Sequence, residues 1–396
     1  MTEAPLLKNV PKRLLSVDAI RALTMLCMIF INDLSGVKGI PKWMDHAKGF
    51  EDNMGFADTI FPCFLFIVGL SIPLAIDRKM QKGDSFSSIS FSILSRSFAL
   101  IVMGFFHVNL EEYSKASILP EAVWEILITL SFFLIWLDYS PAISNVKKYF
   151  LIGAGWLILL LMAFLYTGGD AKAPHGLEPS WWGILGIIGW GYLVSAFVYF
   201  LAKGKFAVMI IALVIFAAIN ILDHAKILRL HLWVIHDASS EFLIIAGIVV
   251  SLWYARMVQK GYTLTLWLWL FIAGCASIAS GFLIRPYADG ISKIRSTPAW
   301  ILICIGISVL VFELMIYLVD FKGKKNWFKV IWPAGTATLT CYLIPYLQVG
   351  FYRLLHIHYP KVLDYGWGGF FRSWAVAFIV VLIGGFLEKR RLKLKI

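Results

Sequence analysis

Apolar runs long enough to cross a bilayer recur along the whole chain, near 17–34, 56–76, 86–108, 121–138, 148–166, 181–202, 206–223, 241–257, 263–284, 298–319, 330–350 and 369–387. Short charged or turn-forming breaks separate them. A hydrocarbon core of ~30 Å takes ~20 mostly apolar residues per crossing helix, because lipid offers backbone groups no partners. Hydrophobic residues fill 60% of the 396 positions and charged ones only 15%, against about 25% in soluble domains. A soluble enzyme, a nucleic-acid binder and a disordered chain are excluded. The expected fold is all-α: one polytopic membrane domain over 1–396 with about 12 transmembrane helices.

The net charge of +12 reads as orientation once it is sorted by loop, since basic residues favour the cytoplasmic side. Lys8, Lys12, Arg13, Arg78, Lys79, Lys82, Lys203, Lys205, Lys260, Lys322, Lys324, Lys325, Lys389, Arg390, Arg391, Lys393 and Lys395 flank alternate, mostly short connections. An even number of spans then puts both termini in the cytoplasm. The longer connections 35–55, 109–120, 167–180, 224–240, 285–297 and 351–368 face outward. The first span starts near residue 17 without a small-residue cleavage site after it, as an uncleaved first helix would. Cys27, Cys63, Cys275, Cys304 and Cys341 all fall inside spans without metal-ligand spacing and read as buried small hydrophobes.

Ionisable groups inside a bilayer cost ~2.5–3.5 kcal/mol, so each is a functional candidate. Asp18 and Arg21 are i,i+3 neighbours in span one, readable as an interfacial pair or as a phosphate-holding arginine. Arg96 in span three and Glu313 in span ten need partners on other helices or a wet cavity. The densest polar stretch, Trp43 to Asp58, lies at the external mouth and holds His46, Glu51, Asp52 and Asp58. A histidine there can change protonation state near neutral pH, and the carboxylates can orient it. His107 ends span three on the same side and could line the same cavity. His224, His231 and His236 have spacings of seven and five, unsuited to one metal-binding helix face; His175, His356 and His358 lie in loops. No metal site is expected.

Arg13-Leu-Leu-Ser-Val-Asp-Ala-Ile-Arg21, Met28-Ile-Phe-Ile-Asn32, His46-Ala47, Phe56-Ala-Asp-Thr-Ile-Phe-Pro-Cys-Phe-Leu-Phe-Ile-Val-Gly-Leu-Ser-Ile72, Ile291-Ser-Lys-Ile-Arg-Ser-Thr297 and Pro333-Ala-Gly-Thr-Ala-Thr-Leu-Thr-Cys-Tyr342 follow one another along the chain. In that order these segments resemble the heparan-α-glucosaminide N-acetyltransferase family, which includes bacterial NagX-type membrane proteins. The densest match lies within 13–76. The resemblance implies a plasma-membrane enzyme, bacterial in type, that moves the acetyl group of cytoplasmic acetyl-CoA to a terminal amino sugar or oligosaccharide outside. It also implies that His46 is catalytic and that Asn32 lies near the acetyl site. The chain departs from the family in three places. Ala22 replaces a more usual glycine, Lys48-Gly-Phe-Glu-Asp-Asn53 stands for a shorter segment carrying Trp-Asn-Gly, and an extra hairpin occupies 181–223.

Acetyl transfer to an amine needs a free nucleophile, a stabilised oxyanion and a departing thiol. His46 could act as general base or as an acetyl-carrying nucleophile. Asn32 could donate to the thioester oxygen or hold the acceptor, and Asp58 could fix the His46 tautomer or bind sugar hydroxyls. Arg21, Arg78 and Lys79 are candidates for the CoA phosphates at the cytoplasmic mouth. Ser71, with Gly69 and Pro73, could open the backbone beside the pantetheine arm or serve helix packing. Asp33, Glu51, Asp52 and Lys293 are candidate sugar-binding residues. Trp181, Trp182, Trp233, Tyr287, Tyr359 and Trp367 could form a stacking platform or an interfacial belt. Lipid is the expected surroundings, and a homodimer is compatible with the reading. The competing functions are O-acylation of a surface glycan, and a sugar transporter or permease, for which the chain lacks a detectable repeat of two halves.

Overall fold

A computed structural model describes residues 14–170, 172–228, 233–259 and 261–396; Lys8, Lys12, Arg13, His231 and Lys260 lie outside them. The chain forms α1 (Leu15–Leu34), α2 (Ala57–Gln81), α3 (Phe86–Val108), α4 (Glu121–Trp136), α5 (Asn145–Leu165), α6 (Gly183–Leu201) and α7 (Phe206–His224). It continues through α8 (Ser239–Val258), α9 (Leu264–Ile284) and α10 (Pro298–Met315), which runs on as π-helix over Ile316–Phe321. Then come α11 (Trp332–Thr336), α12 (Thr338–Leu354) and α13 (Gly366–Lys389). Among the described residues ten helices are long and apolar enough to cross a membrane; α4 and α12, with 16 and 17 residues, are shorter. The protein is an all-α polytopic membrane protein.

One expected span is not continuous. The run 330–350 breaks at Ala337 (φ −123°, ψ 41°) between α11 and α12. The freed carbonyl of Gly335 accepts from Arg21 Nη1 at 3.4 Å and from the Thr338 hydroxyl at 3.1 Å. Broken helices survive at membrane depth where protein or a cavity satisfies the exposed backbone, and residues 335–339 line such a cavity. Gly335 also lets α11 press against α1: a Cβ there would lie 2.7 Å from the Asp18 carbonyl oxygen and 3.3 Å from the Ala22 methyl. The glycine missing at position 22 thus has its counterpart across the contact.

α1 is the central helix, buried along most of its length and packed by α2, α10, α11, α12 and α13. By contrast, α5, α7 and α9 bury only a few residues each and turn their apolar faces outward, as lipid-facing helices do. Small residues bring backbones together. Gly69 of α2 meets Gly247 of α8, where a Cβ on either would run into the facing main chain, and Gly104 of α3 meets Gly186 of α6, where a Cβ on Gly104 would do the same.

Connections alternate between the two ends. At one end Ser16 N donates to Asp320 Oδ1 (3.3 Å), Asp138 N to the Lys393 carbonyl (2.8 Å) and Lys395 N to the Trp136 carbonyl (2.8 Å). The start of α1 and the C-terminal segment therefore share this end. At the far end Gly366 N donates to the Lys38 carbonyl (2.7 Å), and Arg285 pairs with Asp52 (2.9 Å). All five cysteines are free.

Candidate active site

The far-end site is built on the first turn of α2. Pro62 has no N–H to give the carbonyl four residues back, so the Asp58 carbonyl is left for another donor, and Trp300 Nε1 of α10 fills that role at 3.0 Å. The carboxylate of Asp58, 1% exposed, is held from the other side by the preceding loop. Its Oδ2 accepts the N–H groups of Ala47 and Gly55, both at 3.0 Å, and its Oδ1 lies 2.7 Å from His46 Nδ1. Gly55 passes so close to the Asp45 carbonyl that no side chain fits there.

A carboxylate can only accept, so it places the proton of the neutral imidazole on Nδ1 and leaves the lone pair on Nε2. The His46 side chain is 34% exposed at the mouth. Lys293 Nζ lies 3.3 Å from His46 Nδ1. Burial lowers the affinity of the Lys293 amine for its proton, with the nearby Asp58 charge opposing, for a net downward shift. A histidine with a free Nε2, oriented by a buried carboxylate, is the geometry of a general base or a nucleophile.

Other sugar-site candidates are committed elsewhere. Asp33 Oδ2 accepts from Arg372 Nη2 (3.0 Å) and the Ser373 hydroxyl (2.6 Å), which clamps α1 to α13. Burial pushes the Asp52 carboxyl up, but the Ile291 N–H and the Arg285 guanidinium outweigh it, and its pKa falls below the usual range. This ion pair fixes the 285–297 loop that carries Lys293. Glu51 accepts from the Lys48 N–H at 3.2 Å at the surface. Asn32, in the last turn of α1, is exposed, and its side-chain amide makes no hydrogen bond to His46 or Asp58 among the described residues. His107 does not join His46: its ring stacks on Tyr346 with centroids 3.9 Å apart and abuts Phe132.

A cavity of about 650 Å³ opens from the terminus-bearing end between α1, α2, α3, α6 and α12. Arg21, Ser71, Arg78, Arg96, Lys393 and Lys395 line it. Arg21 Nη2 donates to the Ser71 hydroxyl at 2.6 Å and Nη1 to Asp18 Oδ1 at 3.3 Å. Arg96, unpartnered in sequence, sits 4.9 Å from the Tyr192 ring. Lys79 is not in the lining; it bonds Ser92 of α3 instead. Glu313, the other intramembrane charge, finds no ion-pair partner among the described residues and sits in a shallow outer groove against Trp267 and Tyr317. The lining of α2 runs from Arg78 to Phe64, fourteen residues or about 21 Å of helix rise. Asp58 lies six residues further on, about 9 Å.

A second cavity, also about 650 Å³, occupies the far end. Phe61 and Leu65 of α2 face it, whereas Phe64 and Val68 face the first; Ile184 and Ile187 of α6 likewise face one, Leu185 and Ile188 the other. The α2–α6 pair is therefore the partition between two chambers that overlap in depth. The first half of the hairpin at 181–223 lines both. Its signal in the sequence was only a surplus of apolar residues. No group of three or more metal-ligating side chains occurs among the described residues.

The profile of a family described as a domain of unknown function, DUF5009, matches residues 13–227. The chain is also 35% identical to human heparan-alpha-glucosaminide N-acetyltransferase over 103 residues, 26% of this chain and 15% of that protein. The mouse protein of the same name is 35% identical over 97 residues, covering 24% and 14%. The matched stretches thus span about a seventh of those relatives.

Proposed function

Because the chain belongs to the DUF5009 family, and part of it resembles two heparan-alpha-glucosaminide N-acetyltransferases, we propose that it is a transmembrane acetyltransferase. It would take acetyl-CoA at the terminus-bearing end and acetylate an amino sugar at the far end. The observation that carries the reading is one pair of features on α2. A carboxylate-held histidine stands at its far end, and a basic-mouthed cavity runs along the same helix from the other.

CoA is a polyanion, and phosphates are best held by arginine and lysine. Arg78, Lys393 and Lys395 would keep them at the mouth, while the thin pantetheine arm follows the apolar lining past Arg21, Ser71 and Arg96. At the deep end the acceptor nitrogen attacks the thioester carbonyl carbon. The C–N bond forms, the C–S bond breaks, the N–H proton passes to His46 Nε2, and the departing thiolate takes up a proton. Asn32, in the last turn of α1, would supply the side-chain donor to the carbonyl oxygen. An acetyl-imidazole on His46 would divide the same transfer into two steps. Positive-inside orientation places the mouth in the cytoplasm, and the membrane in this reading is a bacterial plasma membrane.

Purified protein given radiolabelled acetyl-CoA and glucosamine should yield a base-stable amide. A base-labile ester would move the assignment to O-acylation, and no product would overturn it. Within the same assay, Arg78→Ala is expected to raise KM for acetyl-CoA about tenfold, as loss of one charged hydrogen bond does. KM for the acceptor should not change. Lys79→Ala, outside the lining, should leave both constants within about twofold.

A further inference from the structure

The far-end cavity adjoins the His46 cluster by three links. Lys293 lines it and reaches His46; Trp300 lines it and bonds the Asp58 carbonyl; Phe61 lines it one turn along α2 from Asp58. Its walls are indoles. Trp181, Trp182 and Trp190 line it, and Trp182 meets Trp190 edge-on with ring centroids 5.5 Å apart. Indole faces suit the C–H faces of a sugar ring.

Two further observations point to a polar ligand. Glu241, in the first turn of α8, lines the cavity at 2% exposure and has no ion-pair partner among the described residues. A lone carboxyl avoids the cost of burying its charge by staying the neutral acid, and an ammonium ligand that reached it would supply the counter-charge that lets it ionise. The indole N–H of Trp190 and the Nε of Arg295, whose Nη1 pairs with Asp289, belong to lining residues and are buried without a hydrogen-bond partner, and buried donors as a rule have one. The backbone is strained around the same space: Ser180, Trp182, His236 and Ser296 all line it with φ between 34° and 68°, a conformation non-glycine residues keep mainly where structure or function demands it.

We infer that this cavity is the acceptor site and takes a protonated amino sugar, with the Glu241 carboxylate on the ammonium and Trp182 and Trp190 against the ring. The inference rests on the acetyl-transfer reading for its chemistry. Overall, ammonium and acetyl-CoA give the acetamide, CoA thiol and one proton. One N–H proton leaves to water before attack and the second passes to His46 as the C–N bond forms. Glu241 makes no covalent bond; it selects a cationic nitrogen over a neutral hydroxyl or acetamide.

The test measures equilibrium binding of radiolabelled glucosamine, without acetyl-CoA, to the full chain in nanodiscs, alongside steady-state kinetics. Glu241→Gln is expected to weaken glucosamine binding and raise its KM about tenfold or more, leaving kcat and the binding of neutral N-acetylglucosamine within about twofold. Glu241→Asp should recover part of the loss. Thermal stabilisation by CoA reports that each variant is folded. Should Glu241→Gln fail that check, Ile187→Trp, which fills the cavity, is read instead and should abolish binding of both sugars. Unchanged glucosamine binding in the folded variant, or no binding by the wild type, overturns the site. Glu241-dependent binding without acetylated product would sink the transferase reading and leave the site standing. Acetylation with an unchanged KM in Glu241→Gln would do the reverse.

Discussion

His46→Ala is expected to lower acetyl transfer to glucosamine by about 10²–10⁴-fold, the usual contribution of a positioned acid–base group. The side chain is one-third exposed and its partners sit on the loop and α2, so the bundle should keep its thermal stability. Acetyl-CoA reaches the protein from the opposite end in the proposed arrangement, so donor binding should also survive. The discriminating measurement is product formation from labelled acetyl-CoA, with CoA-dependent thermal stabilisation recorded on the same sample. Activity within about threefold of wild type would remove His46 from the chemistry.

Asp58→Asn tests the same site through geometry. Two main-chain N–H groups, of Ala47 and Gly55, point at Oδ2, and the imidazole Nδ1 points at Oδ1. An asparagine has one accepting oxygen and one donating nitrogen. With its nitrogen toward the loop, it sets donor against two donors, at about 1–3 kcal/mol for each N–H left unsatisfied. With its nitrogen toward His46, it demands an accepting Nδ1 and so moves the ring proton to Nε2, where the base is needed. Either arrangement should reduce kcat by about 10²-fold or more while KM for acetyl-CoA moves little. An unaltered kcat would sink the assignment of Asp58 as the group that orients His46.

The two-ended bundle was legible in the sequence because charges are scarce in it. Arg21, His46 and Asp58 stood out against an apolar background, and the structure brings Arg21, Ser71 and Arg78 into one cavity. Other parts could not be read. Asp33 looked available as a ligand because its partner Arg372 lies 339 positions away. The interruption at 337 hides in Gly335-Thr-Ala337, small residues that an unbroken helix also accepts. Glu241 resembles any acidic residue at a helix start, and only the walls around it distinguish it. Lys393 and Lys395 carried an orientation signal that concealed their place at the cavity mouth. In each case the missing information was which distant helix lies opposite.

The proline at position 62 has a consequence for how relatives should differ. Its missing N–H is the reason the Asp58 carbonyl can be tied to Trp300. A relative with any other residue at 62 would close the helical hydrogen bond internally, and the indole at 300 would then share the carbonyl's two lone pairs with that N–H and be held less firmly. The two positions, far apart in the chain, should therefore change together across evolution. Lineages that have lost the proline should show relaxed choice at 300, and those that keep the indole should keep the imino acid.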